Sequence, residues 1–189
     1  MLPSLVITLL AAIDRRSAIT PASRAHLLAL RGGSNPDKSS GRPLLVVGSL
    51  NVDITIEVER LPKKEETVMA SSPRTSIAVG GKGANQGVAA ARLAAGPGHK
   101  ASLVCMFGND GYSEDMRLAL AETGVDISHC GRSAELPTGQ GIVMLTPDGA
   151  ASSIVVAGAN SGWTQAHAEE LAELVKEASA VLLQNEIPE

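Results

Sequence analysis

An α/β fold is the class this sequence predicts, and three patterns carry that expectation. Short, continuously apolar runs at Leu44 to Val47, Ala101 to Cys105 and Ala180 to Leu183 have the form of strands buried in a parallel sheet. Longer stretches of small and charged residues alternate with them, at the length and composition of helices. A second kind of strand, such as Asp53 to Val58 (DITIEV), alternates polar and apolar residues as a one-sided sheet does, and predicts a lid.

Each element follows in order from Leu44. Leu44 to Val47 (LLVV) stops at Gly48, and Asp53 to Val58 forms the first one-sided strand. Val68 to Val79 is expected as further extended chain broken at Pro73, which has no amide to donate. Ala84 to Ala95 follows glycines, is dominated by Ala and contains no Pro, which predicts a helix able to pack closely on a sheet. Ala101 to Cys105 is a buried strand, and Asp115 to Thr123 a helix ended by Gly124. Gly141 to Leu145 and Ser152 to Val156 flank the turn residues Pro147, Asp148 and Gly149 as a hairpin. Thr164 caps a helix to about Ala178, without a Glu at its third position, and Ala180 to Leu183 (AVLL) is expected to be a buried strand. A parallel sheet ending at that strand would leave an edge and apolar helix faces uncovered. Met69, Met106, Met116 and Met144 are core candidates.

Composition excludes several functions. Aromatic residues make up 2% of the 189, too few for base-stacking platforms, and the net charge of -4 offers no footprint for a phosphate backbone. Nucleic acid is therefore not expected as a partner. Cys105 and Cys130 cannot form a disulfide framework, and neither these nor the four widely spaced histidines have metal-ligand spacing.

Charge divides the chain. Residues 1–43 hold Arg15, Arg16, Arg24, Arg31, Lys38 and Arg42 against Asp14 and Asp37, whereas the remainder is acidic. This basic leader, with its Gly/Ser/Pro stretch from Arg31 to Pro43, has the composition of a targeting segment and flexible linker, leaving residues 44–189 as the folded domain. Leu5 to Ile13 is an apolar run too short to span a bilayer but long enough for a signal-peptide core. A transit peptide, a signal followed by a transit segment, and a disordered extension all fit. The first two imply an organelle, plastid or mitochondrion; the alternative is the cytoplasm. No membrane partner is expected for the domain itself.

The chemistry concentrates in Gly80 to Gly87 (GGKGANQG). A dinucleotide fingerprint counted from Gly81 needs glycine where Gln86 stands, and a P-loop needs Ser or Thr where Gly83 follows Lys82. What remains is a glycine-rich helix entry where a ligand could reach backbone amides, with Lys82 and Asn85 as side-chain donors for hydroxyl oxygens. A tight turn for helix packing fits the same glycines. Asn51 and Asp53 lie two apart and project to one side of an extended segment beyond the first strand, where open α/β sheets bind ligands. The Asp carboxylate can accept from two adjacent sugar hydroxyls and Asn51 can add a donor; an ordinary turn held by a side-chain-to-backbone bond also fits.

Val47 to Asp53 (VGSLNVD), Gly80 to Ala91 (GGKGANQGVAAA) and Ala157 to Asn160 (AGAN) together resemble the ribokinase-like sugar kinases of the phosphofructokinase-B family, over about Leu44 to Glu189. The resemblance implies a three-layer αβα sandwich with a small β-sheet lid, here truncated after its N-terminal half. It implies ATP with Mg²⁺ and a monovalent cation as cofactors, ribose or a related pentose as the small-molecule partner, phosphorylation of the ribose 5-hydroxyl, and a homodimer through the lid. The family's sugar-binding positions carry over to Asn51, Asp53, Gly81, Lys82, Gly83, Ala84, Asn85 and Glu186. The family's G-A-G-D motif, which holds the catalytic base, is not in the sequence, and Asp110 within Gly108 to Gly111 (GNDG) is expected to be a turn or cap residue. The chain alone is thus expected to hold sugar without transferring phosphate; the competing expectation is a non-catalytic sugar-binding or dimerisation module.

Overall fold

The computed structural model describes residues 41–94 and 100–188. The expected leader, linker and apolar run at 5–13 lie outside the described residues. Among the described residues no helix is long and apolar enough to cross a membrane.

Three parallel strands form the central sheet, in the order β4 (Ala101–Val104), β1 (Leu44–Val47), β9 (Ala180–Leu183), with Leu44 level with Ala101 on one side and Ala180 on the other. Alternation along β1 sends its side chains to two cores. Val46 joins Leu103, Leu50 and Val52 with Ala84 and Ala90 of α1 (Lys82–Leu93) and Met116 and Leu120 of α2 (Gly111–Ala121). Leu45 and Val47 face the other way, with Val104 and Ala178, against Trp163 and Leu171 and Leu174 of α3 (Gln165–Glu177). Helices therefore cover both faces, as the apolar strands predict, in the three-layer αβα arrangement the resemblance implies.

Local chemistry accounts for the helices. Gly83, Ala84, Gly87 and Ala90 are the buried positions of α1, a small-residue stripe that brings its backbone close to the sheet; a Cβ on Gly87 would stand 3.2 Å from Leu103. Asp110 is the N-cap of α2, accepting from Ser113 N at 3.2 Å, and also ties down Thr138 through its N at 2.8 Å and Oγ1 at 2.7 Å. Asp110 is thus a cap residue. Thr164 caps α3, and His167 completes the capping box where Glu is usual, its Nδ1 accepting from Thr164 N at 3.1 Å. Arg42 donates to Glu177 O at 2.9 Å and to Lys176 O, a cation at the negative end of the helix dipole.

The lid sheet runs β3 (Ser76–Gly80), β2 (Asn51–Glu57), β7 (Gly139–Leu145), β8 (Ala151–Val156). The β7–β8 hairpin turns as expected, with Gly149 at φ 83° and Asp148 Oδ1 accepting from Ala150 N at 3.1 Å. A short parallel pair joins β5 (Met106–Phe107) to β6 (Gly131–Arg132).

Three expectations need correction. Ladder pairing in the 68–79 stretch begins only at Ser76, because Ser71 and Ser72 with Pro73 favour bends and Pro73 cannot donate. Met69 there is 87% exposed and is not a core residue. Ala180 to Leu183 forms a strand, but all four residues are exposed, since among the described residues β9 pairs only with β1. Among the described residues no second strand pairs with β9, and α3 likewise buries no residue fully.

Candidate functional site

The site lies where the chain leaves the carboxyl ends of β1 and β9, the end at which open parallel sheets hold ligands. Two excursions meet there. Ser49 to Asn51 carries the chain from β1 into β2, and Gln184 to Glu186 follows β9. Gln184 Oε1 accepts from Ser49 N at 3.1 Å, and Ser49 Oγ donates to Glu186 Oε2 at 2.8 Å. Lys82, at the start of α1, makes an ion pair with Glu186.

Asp53 stands inside this group, half-buried on β2, and no hydrogen bond to its carboxylate forms among the described residues. Two glycines make room for it. A Cβ on Gly80 would lie 2.1 Å from its carboxylate and a Cβ on Gly141 2.4 Å from Oδ1, so a side chain on either neighbouring strand would displace the carboxylate. Burial pushes the Asp53 carboxyl above the ordinary aspartate range, the Glu186 charge pushes the same way, and Lys82 opposes both. Glu186 shifts in the other direction: desolvation would raise it, but the hydrogen bonds from Lys82 and Ser49 outweigh that and hold it below the usual carboxylate range. The site thus presents two carboxylates shifted in opposite directions, with the Lys82 ammonium paired to Glu186.

Asn51 sits two residues before Asp53. Its Oδ1 accepts from Asn160 Nδ2 at 2.8 Å, and no group among the described residues accepts from its own Nδ2. Donor and acceptor therefore stand in sequence along one strand, the pattern a sugar hydroxyl can satisfy by accepting from one and donating to the other.

The glycine-rich block divides in its roles. Gly81 adopts φ 88°, and a Cβ there would meet Asn51 N and Ser49 O at 2.8 Å. A Cβ on Gly83 would stand 2.5 Å from the Gly48 carbonyl carbon and from Ser49 N. The Ala84 amide donates to Ser49 O at 2.9 Å, and Gly83 N makes a long contact of 3.4 Å with Ser49 Oγ. These helix-entry amides are engaged by the chain's own β1–β2 loop, so the close approach that the glycines allow is between protein backbones. Lys82 and Asn85, by contrast, are exposed and share one side of the helix, three residues apart.

The structure thus gathers Asn51, Asp53, Lys82 and Glu186 at one mouth, places Asn85 on the helix side next to Lys82, and buries Gly81, Gly83 and Ala84 beneath them. Ser49 and Gln184, which knit the loops together, carry no chemical signature in sequence beyond lying beside assigned residues. Among the described residues no group of three or more His, Cys, Asp or Glu could hold a metal ion. Mg²⁺ is commonly held by one or two carboxylates together with substrate phosphates, so this leaves the cations implied by the resemblance open, and none of the roles assigned below depends on them.

Residues 42–189 match the sequence pattern described as pfkB family carbohydrate kinase. The chain is 40% identical over 150 residues to a ribokinase of Arabidopsis thaliana, covering 78% of this chain and 38% of that protein. It is 36% identical over 148 residues to a ribokinase of Bacillus subtilis, covering 78% and 48%. Among solved structures, Arabidopsis thaliana ribokinase complexed with ribose and ATP superposes with a TM-score of 0.67 at 39% identity, over 78% of this chain and 46% of that one. A Thermotoga maritima ribokinase superposes at 0.66 and 32% identity, over 78% and 46%. The chain spans less than half the length of these relatives.

Proposed function

The chain belongs to the pfkB family of carbohydrate kinases, and we propose that it supplies the sugar-holding side of an ATP-dependent kinase whose acceptor is the 5-hydroxyl of D-ribose. One observation carries the reading: a half-buried carboxylate, Asp53, stands in a glycine-walled recess with no hydrogen-bond donor among the described residues, beside the donors Asn51 and Lys82. A carboxylate so placed accepts from two adjacent hydroxyls. Likeness to ribokinases, one of them solved with ribose and ATP, supports a pentose and this nucleotide.

In this reading Asp53 accepts from the vicinal hydroxyls, Asn51 donates to one of them, and Lys82, Asn85 and Glu186 bind the opposite edge of the ring. Fixing the ring removes its rotational freedom, so the 5-hydroxyl is held for in-line attack on the γ-phosphoryl group; such positioning supplies much of the rate in phosphoryl transfer. The proton lost from that hydroxyl goes to a base outside the residues assigned here. We extend the reading to a second copy of the chain against the lid, supported by the exposed apolar side chains of Ile77, Ile154 and Val156, and to an organelle as the compartment, supported by the basic, acid-poor composition of residues 1–43.

Calorimetric titration of the chain with D-ribose tests the reading. Saturable binding that Asp53→Ala abolishes is expected; binding unchanged by that substitution refutes the assigned role.

A further inference from the structure

Asn160 lies on the 3₁₀ turn Gly158–Ser161 after the lid hairpin and is 3% exposed. Its side chain makes three hydrogen bonds, all to the β1–β2 loop. Leu50 N donates to its Oδ1 at 2.8 Å; its Nδ2 donates to Leu50 O at 3.0 Å and to Asn51 Oδ1 at 2.8 Å. A backbone amide can only donate and a backbone carbonyl can only accept, so Leu50 by itself decides which end of the Asn160 carboxamide is oxygen and which nitrogen. That choice passes to the next residue. With Nδ2 of Asn160 turned to Asn51, the Asn51 carboxamide must offer its oxygen inward and its NH₂ outward.

We propose that Asn160 is a positioning residue for the sugar site, fixing Asn51 as a donor toward the ligand. This deepens the proposed function and rests on it for the identity of the ligand. The consequence is complementarity along β2: a hydroxyl that accepts from Asn51 Nδ2 keeps its proton for the Asp53 carboxylate. If Asn51 were turned over, that hydroxyl would face two acceptors with one proton. Glycine at position 139 is part of the same device, since a Cβ there would stand 2.3 Å from Asn160 Nδ2 and 2.4 Å from Asn51 Oδ1.

The test uses the full chain and two measurements. In the free protein, NMR hydrogen exchange should find the Asn160 side-chain NH₂ protected and the Asn51 NH₂ exchanging faster, and Asn160→Asp, which supplies acceptors only, should turn Asn51 over and protect its NH₂. The opposite pattern in the wild type, or an Asn51 NH₂ unaffected by Asn160→Asp, overturns the inference without any sugar present. In a D-ribose titration, Asn160→Asp should weaken binding on the order of tenfold or more, as expected for loss of a buried hydrogen bond. The same substitution should add nothing in an Asn51→Ala background, because it acts through Asn51. Equal losses in both backgrounds mean a structural role and overturn the proposal. If the exchange pattern holds and the wild-type chain ignores ribose, the positioning of Asn51 stands and the ribose reading fails.

Discussion

β1 and β9 are both four-residue apolar strands, LLVV and AVLL, hydrogen-bonded to each other in parallel register, yet three of four residues of β1 are buried and all four of β9 are exposed. The difference is one of neighbours. β1 has a strand on each side, α1 and α2 over one face and α3 over the other, whereas among the described residues β9 pairs with β1 alone. An apolar run therefore announces a strand and its affinity for cover, while burial depends on what the rest of the fold brings to it. The site inherits this contrast, with its Ser49 to Asn51 side anchored in the closed part of the sheet and its Glu186 side following the open edge.

The contrast is broken most directly by truncation on either side of it. Leu103→Ala, at a fully buried position of β4, should cost roughly 2–5 kcal/mol in chemical denaturation, and Leu183→Ala, 71% exposed, less than about 0.5 kcal/mol. Equal costs would mean that β9 is covered. Adding a methyl separates fold from function in the same way. Gly83→Ala drives a Cβ into the backbone of Gly48 and Ser49, which cannot move aside, and should destabilise by about 1–3 kcal/mol or more. Gly141→Ala meets only the Asp53 carboxylate, which can rotate away. Its denaturation midpoint should stay near that of the wild type while ribose binding is lost.

A smaller effect sharpens the electrostatics of the mouth. Asp53 is an acceptor at both oxygens only when ionised, as two adjacent hydroxyls require, and burial followed by the Glu186 charge raises its pKa. Sugar affinity should be complete above that raised value and fall as pH drops through it, so the loss begins at a higher pH than an ordinary aspartate would give. Glu186→Gln removes a repelling charge and should move the midpoint to lower pH; a shift to higher pH would contradict the assignment. For the same reason Asp53→Asn should leave the thermal midpoint at neutral pH unchanged or slightly raised, because ionised Asp53 opposes folding.

The mildest expectation concerns the thiols, 3.5 Å apart. The hydrogen bond from Cys105 pulls the Cys130 thiol below its usual range, while that same contact and then burial push Cys105 well above it. Alkylation followed by peptide mapping should modify half-buried Cys130 well before Cys105.

Much of this architecture is legible in the sequence, for identifiable reasons. Periodicity finds β1, β4 and the β7–β8 hairpin, and capping chemistry finds the start of α3 at Thr164, although His167 rather than Glu closes the box. Spacing alone puts Asn51 and Asp53 on one side of an extended segment. What escapes is contact across distance in the chain. Ser49 reaches Glu186 over 137 residues and Asn160 reaches Asn51 over 109, and no local pattern encodes either. The glycines divide by neighbour: Gly81 and Gly83 let α1 pack on the β1–β2 loop, while Gly80, Gly139 and Gly141, on flanking strands, make room for the side chains of Asp53, Asn51 and Asn160.

Where a pentose binds decides the role of this mouth, and an NMR titration of the isotope-labelled chain with D-ribose measures that directly. Saturable shift changes centred on Asn51, Asp53, Lys82 and Glu186, and abolished by Asp53→Ala, are the predicted result. Changes centred elsewhere, with those four residues unmoved, would contradict it.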